Sequence, residues 1–476
     1  MITKSLCIHC CPAGRNYHKY QIDLHNMCLV DKKWNQAATA HLYHVFHSDL
    51  SNRFLDFLRT LIERPNLAIH VKSVILVPGW PTLDIEKQTA LNNMIKARAL
   101  ALGLPFADQD LDCNLRSVID GGFQNTLENM LLLHTPNIVT IDICWEDIFG
   151  NNAFKYLNVV ARRSQQWNAT SCLRHAKLEV SFVEDNAESH HMTFLSTLSA
   201  VAPNLQELEI ILKSAYSTVS RLQSYHRGIA ANHPQMVNTT DMVFLSSLRS
   251  LVINNHELPP CFEITLGRHI HHCKSLEEIY YRFNNKYLDR NTDPSMFLRL
   301  LQPISRSLKR LSLVVLTRTP NDTVWDFPSL AYVAGFRSVA MLTSLEVLRF
   351  NTFAYDCNRI SRSPFPQPSM IVPFMCALPK SLRVLSFGGG GSCELSHLKH
   401  GLSQLRDRVQ DGMLPNLRTL HVFSDGILGS DPFFGAFSML GVDTKACWYY
   451  EMGGQKANAM LEAEGWTQRN GFGGLF

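Results

Sequence analysis

One phrase dominates the pattern of apolar and polar positions along the chain. A polar residue is followed by Leu, two variable residues, a second Leu, one variable residue and another apolar side chain. It reads NLQELEI at Leu205, Leu208 and Ile210, SLRSLVI at Leu248, Leu251 and Ile253, and SLEEIYY at Leu276, Ile279 and Tyr281. SLKRLSL (Leu308, Leu311, Leu313), SLEVLRF (Leu345, Leu348, Phe350), SLRVLSF (Leu382, Leu385, Phe387) and NLRTLHV (Leu417, Leu420, Val422) follow. Weaker copies are HVKSVIL at Val71, Val74 and Leu76, NIVTIDI at Ile138, Ile141 and Ile143, and LRHAKLE at Leu173, Ala176 and Leu178. The last two apolar positions of each copy lie two apart, which on a strand puts both on one face. The first, three residues earlier, turns the chain into that strand.

From Ile138 onward the first positions step by 35, 32, 43, 28, 32, 37, 37 and 35 residues. Recurrence at that interval marks a stacked-repeat protein, in which no unit buries its apolar edge alone. The competing reading, an ordinary α/β domain with Leu-rich strands, does not account for seven close copies. The intervals carry helices. Leu395, Leu398, Leu402, Leu405 and Val409 step by three and four, with an end expected near Gly412 and Pro415, and Thr292-Asp293-Pro294 reads as a helix start. The fold class expected is therefore α/β, a leucine-rich-repeat solenoid with a curved parallel sheet inside and helices outside. Between Val71 and Ile138 the spacing is 67 residues, and residues 80–135 read as a helical insertion. The array is expected over 49–424, and 425–476, rich in Gly and aromatics, as a C-terminal cap and tail.

Ahead of the array, Asp49 to Arg64 is an amphipathic helix with Phe54, Phe57, Leu58, Leu61 and Ile62 on one face, stopped by Pro65. Asp23 is read as the N-cap of a helix carrying Leu24, Met27 and Cys28, and a second helix is expected around Trp34 to Ala40, presenting Trp34, Ala37 and Ala38 to a core. Within that pair, Leu29-Val30-Asp31-Lys32-Lys33-Trp34-Asn35 and the later Leu42-Tyr43 resemble the second half of an F-box. The helix FLRTLIERPNLA running into a VKS strand is similar to the opening of the repeat array in F-box-like proteins abundant in filamentous fungi. An F-box normally opens with a Leu-Pro-x-Glu helix, and this sequence has MITKSLCIHCCPAGRNYHKYQI there instead. Either the motif has degenerated or the natural chain starts further upstream. The divisions expected are thus an irregular 1–22, a partial F-box over 23–48, the solenoid and the cap.

Composition narrows the partners. The chain has 476 residues, 46% of them apolar and 18% charged, as in a folded protein, and its net charge of +4 is too small to imply nucleic acid or an anionic membrane. There is no apolar run of membrane-spanning length. Thirteen scattered cysteines suit reduced thiols in the cytoplasm or nucleus.

The sequence contains no G-x-S-x-G, H-E-x-x-H or G-x-x-x-x-G-K-[ST], so no enzyme and no cofactor is expected. Cys7, Cys10, His25 and Cys28 can be drawn as a zinc site. His25 and Cys28 fall in an apolar helical pattern, where Cys behaves as a core residue, and the set is not taken as a metal site. Nor are His269, His271, His272 and Cys273, with His190 and His191, which precede a strand in an ordinary inter-repeat segment. Gly388 to Gly391 lack the Lys of a phosphate loop. The variable positions of the phrase must face away from the leucines. Glu207, Glu209, Glu278, Tyr280, Arg282, Arg310, Arg349, Asn351, His421 and Phe423 are accordingly the expected target-binding residues, on a concave face running from acidic to basic.

The F-box resemblance implies that Leu24, Leu29, Val30 and Trp34 contact a Skp adaptor, and that the chain is the substrate-recognition subunit of a Skp–cullin–F-box ubiquitin ligase. It would hold an unidentified target protein on the repeat surface. The alternative is a non-enzymatic repeat scaffold that no longer binds the adaptor.

Overall fold

A computed structural model describes residue 7 and residues 17–48, 53–76, 85–101, 122–145, 171–182, 195, 198–214, 245–255, 269–284, 301–316, 338–351, 377–389, 395–424 and 432–448. The architecture is α/β. Its twelve described strands form an all-parallel sheet whose strand order is the order of the chain. Two compact units divide at Leu248 and Arg249, and each is described by itself.

The first unit holds α1 (Tyr17–Val30), α2 (Lys32–Leu42), β1 (Val45–Ser48), α3 (Arg53–Glu63), α4 (Pro65–Ala68), β2 (Ser73–Leu76), α5 (Ile85–Ala101), α6 (Gly122–His134), β3 (Thr140–Trp145), β4 (His175–Phe182) and β5 (Glu207–Ser214). The second holds β6 (Ser250–Asn255), β7 (Glu278–Asn284), β8 (Arg310–Leu316), β9 (Val347–Asn351), β10 (Val384–Gly389), α7 (Leu395–Gln410), β11 (Thr419–Ser424), α8 (Pro432–Met439) and β12 (Asp443–Trp448). All ten phrase copies lead into strands. The two strands without the phrase are β1, directly after the Leu42-Tyr43 pair, and β12, inside the expected cap. In β12, Thr444 and Ala446 lie opposite Leu420 and Val422 of β11, and Gly441 stands where a repeat would carry its first leucine, with buried Val442 next to it.

The phrase has a physical explanation at each position. Its first apolar residue closes a turn onto the carbonyl three residues back, as in Leu205 N to Ala202 O (3.1 Å), Leu276 N to Cys273 O (3.0 Å) and Leu345 N to Leu342 O (3.0 Å). At the start of strands β2–β5 and β7–β11, two consecutive N–H groups donate to one carbonyl of the preceding strand segment. Val139 and Thr140 share Lys72 O, Gln206 and Glu207 share Arg174 O, and Lys309 and Arg310 share Glu277 O. Where the opening polar residue is Asn, it bonds backwards too. The Nδ2 of Asn137 donates to Ile69 O (2.9 Å), that of Asn204 to Ser171 O (3.0 Å) and that of Asn416 to Lys380 O (3.0 Å). Register then follows, with Ser73 opposite Thr140, Thr140 opposite His175 and Glu278 opposite Arg310. The phrase leucines are sealed from solvent on their face, and burial of each contributes about 1.5–3 kcal/mol.

Four helix ends show specific capping or correct the expected one. The α1 helix begins at Tyr17, so Asp23 lies within it and is not its N-cap. The capping residue is Asp31, one helix later, whose Oδ1 accepts from Trp34 N at 2.9 Å. Gly412, at φ 68°, ends α7 with Met413 N donating to Arg408 O and Gly412 N to Val409 O. Gly441, at φ 76°, ends α8 in the same way through Val442 N and Phe437 O. Both positions need the left-handed conformation that favours glycine. The expected insertion contains α5 and α6, while the helix start at Thr292 lies outside the described residues.

Candidate functional site

The α1–α2 corner is built to expose apolar groups. Asp31 interrupts the helix and caps the next one, and Asn35 Nδ2 donates to Cys28 O at 2.9 Å, tying the two helices together. The bend leaves Leu29 and Val30 at the end of α1 72% and 68% exposed, with Trp34 in the first turn of α2 37% exposed. Leu24, expected beside them on the adaptor face, is 2% exposed. It is a core residue of the helix pair, because its turn of α1 faces inward. Below the corner, Phe46 stacks on Phe57 at 4.1 Å between ring centroids, and Tyr43 on Phe57 at 6.1 Å. These rings anchor α2 and β1 to α3.

The variable face of the sheet differs between the two units. In the first unit it is a half-exposed ladder of opposite charges. Lys177 Nζ lies 3.3 Å from Asp142 Oδ2 across β4 and β3, and His175 Nδ1 lies 2.9 Å from Glu207 Oε2 across β4 and β5. Glu209 is half-buried beside Lys177 in register. Burial raises the Asp142 carboxyl from 3.8 to about 6; Lys177 opposes that rise, while Glu209 and Glu179 add to it. His175, Lys177 and Asp142 were missed because their phrase copies are weak. They occupy the same variable positions, so extending the column upstream of Leu205 finds them.

In the second unit the expected open face is corrected at most of the described positions. Ser250, Val252, Glu278, Ser312, Val347 and Ser386 are buried, Arg349 is 1% exposed and His421 3%. The leucines on the opposite face are buried as well, so the sheet there is covered on both sides. Arg310 pairs with Glu278 on the neighbouring strand, so that charge is neutralised internally. Arg349 lies between Ser312 and Ser386 in register, and Ser386 Oγ meets His421 Nδ1 at 3.2 Å. Tyr280 is half-buried. The side chains of Arg282, Asn351 and Phe423 lie outside the described ones. Alternation of side chains was legible in the sequence, but the phrase does not encode whether the second face is covered.

Of the groupings not taken as metal sites, His269 and Cys273 are buried. Cys273 Sγ donates to His269 O at 3.2 Å, and burial pushes its thiol up to about 12 and the His269 imidazole down to about 4. His271 and His272 are exposed, and His190 and His191 lie outside the described residues. Of the four residues first drawn as a zinc set, Cys28 lies 3.8 Å from Thr39 Oγ1 and His25 is exposed. Cys10 is outside the described residues. Cys7 is buried against the α2–β1 turn, with His41 and His44. Among the described residues, no helix is long and apolar enough to cross a membrane. No family model matches this chain, and no curated protein matches it.

Proposed function

We propose that this chain is a protein-interaction subunit of the F-box and leucine-rich-repeat kind. Its N-terminal helix pair docks a Skp adaptor, and its repeat array, a solenoid of strand–helix units, presents a target to a cullin ubiquitin ligase. The observation that carries the reading is the α1–α2 corner. Three large apolar side chains, Leu29, Val30 and Trp34, face solvent on a bend stiffened by an N-cap and a side-chain bond. A soluble surface gains nothing from such a cluster unless a partner covers it. The repeat ladder supports the second half of the reading, because charged side chains on stacked strands are spaced about 4.8 Å apart. In the first unit Lys177, Glu207 and Glu209 remain reachable there, which favours a target with alternating charges.

Pull-down of recombinant Skp adaptor tests the proposal with the full chain, Leu29→Asp and Trp34→Ala. The parent should retain adaptor and both variants should lose it at unchanged melting temperature. An intact chain that recovers no adaptor moves the reading to a repeat scaffold acting outside ubiquitination.

A further inference from the structure

We propose that Cys7, His41 and His44 bind one Zn2+ ion, a metal clip joining Cys7 to the turn between α2 and β1. The thiol sulfur of Cys7 lies 3.3 Å from His44 Nδ1, and the three available ligand atoms all lie within 4.8 Å of one another. Ligand atoms around a tetrahedral zinc, with bonds of about 2.0–2.3 Å, are separated by about 3.3–3.6 Å. The Cys7–His44 approach is therefore already at ligand spacing. The widest separation closes with a side-chain adjustment of about 1 Å.

The two histidines rest on fixed backbone. His41 is in the last turn of α2, and His44 N donates to His41 O at 3.3 Å, so the two rings meet edge to face with centroids 4.8 Å apart. Gln21 Nε2 reaches from α1 to Leu42 O (3.2 Å) and Val45 O (3.3 Å), bracketing the turn. His44 O accepts from both Lys72 N and Ser73 N, which ties the turn into the sheet. Imidazoles held on such elements are prepared before the metal arrives.

The donor set selects the ion. One thiolate and two imidazoles form a borderline-soft set that suits Zn2+ and not a hard, oxygen-seeking cation. Binding releases the Cys7 thiol proton to solvent and leaves a net single positive charge on the cluster. Cys7 is buried while His41 and His44 are half-buried, so water completes the fourth position from the open side. An ordinary Cys–His hydrogen bond explains the 3.3 Å distance but not the second imidazole converging on the same point.

The full chain, purified without a polyhistidine tag from zinc-supplemented culture, provides the test. Elemental analysis should return one zinc per chain, falling to background in Cys7→Ser and in His44→Gln. The parent alone supplies an independent reading should either variant fail to fold. Chelation should make Cys7 alkylate at least about tenfold faster, since a metal-held thiolate is shielded, and Co2+ should give the charge-transfer absorption of a cobalt–thiolate bond. A parent that neither carries nor takes up zinc overturns the proposal. So does full zinc occupancy in Cys7→Ser, or a Cys7 alkylation rate indifferent to the metal.

Discussion

Asp142 offers a test of the electrostatics of the first unit, because its environment sets two forces against each other. Its side chain is 20% exposed and 3.3 Å from Lys177 Nζ, yet its carboxyl is raised from 3.8 to about 6. Desolvation outweighs the ion pair, and Glu179 and Glu209 add to it. A folded-state value above the unfolded one means the folded chain binds the proton more tightly. The stability linked to Asp142 is therefore fully present below 3.8 and lost as pH rises through about 6. At neutral pH the ionised carboxylate costs about 3 kcal/mol relative to the protonated form, and about 1 kcal/mol at about pH 4.5. Asp142→Asn keeps the shape and an acceptor for Lys177 but removes the titration. Relative to the parent, the variant should gain about 2 kcal/mol more at about pH 7.5 than at about pH 4.5. Urea unfolding at both pH values, followed by far-UV circular dichroism, gives the double difference. Amide exchange of β3 and β4 confirms that the transition includes this unit. Titrating groups that do not interact with Asp142 cancel, being common to both proteins, whereas Lys177, Glu179 and Glu209 respond to its charge. An identical effect at the two pH values would refute the argument, and so would a variant that loses ground as pH rises.

The remaining predictions concern the core, the caps and the buried polar column. Leu311→Ala should lose about 2–5 kcal/mol in denaturant unfolding, and Leu311→Asp more, since Leu311 is wholly buried and an unpaired charge would replace it. Ser386→Ala removes one hydrogen bond of buried His421 and should cost about 0.5–1.5 kcal/mol, read as a shift of the urea midpoint. The arginines expected to act as one exposed cluster should behave differently in thermal melts. Arg349→Ala should lower the melting temperature, because its side chain is buried and truncation leaves a cavity. Gly412→Ala should cost about 1 kcal/mol, because φ there is 68°. His269, held near 4 by burial, contributes stability present above 6.5 and lost as pH falls toward 4, so His269→Asn should weaken the acid sensitivity of the urea midpoint.

Much of the fold was legible because the phrase encodes it twice, in the two-residue spacing of a strand face and in the turn residue three earlier. Leu205, Leu308 and Leu417 are wholly or almost wholly buried as that spacing requires. The α7 helix and its glycine stop were legible for the same reason, a three-and-four spacing ending at a residue free to take positive φ. Strands β1 and β12 were not legible. Each is short or carries small residues, and it joins the sheet by extending a ladder whose neighbour supplies the register. Asp23 was misread because several residues satisfy the local chemistry of a cap, and only the helical backbone from Tyr17 to Val30 decides among them. At the candidate site, the core expected beneath Trp34, Ala37 and Ala38 takes only Ala38, while Trp34 and Ala37 are exposed, because the spacing of the three does not say which side of α2 meets α1. Burial of Arg349 and His421 was not legible, since the phrase assigns each side chain a face but not that face's cover.

The paired amides that share one carbonyl of the preceding repeat separate register from connection length. Intervals of 67 residues between Val71 and Ile138, 35 between Ile138 and Leu173, and 28 between Leu248 and Leu276 all bring the first strand residue opposite the first strand residue of its neighbour. Chain can therefore be inserted or deleted between phrases without displacing any side chain from its column. Such a protein can change its connecting segments freely over evolution, and new specificities can be grafted there, while the strands they spring from keep their places.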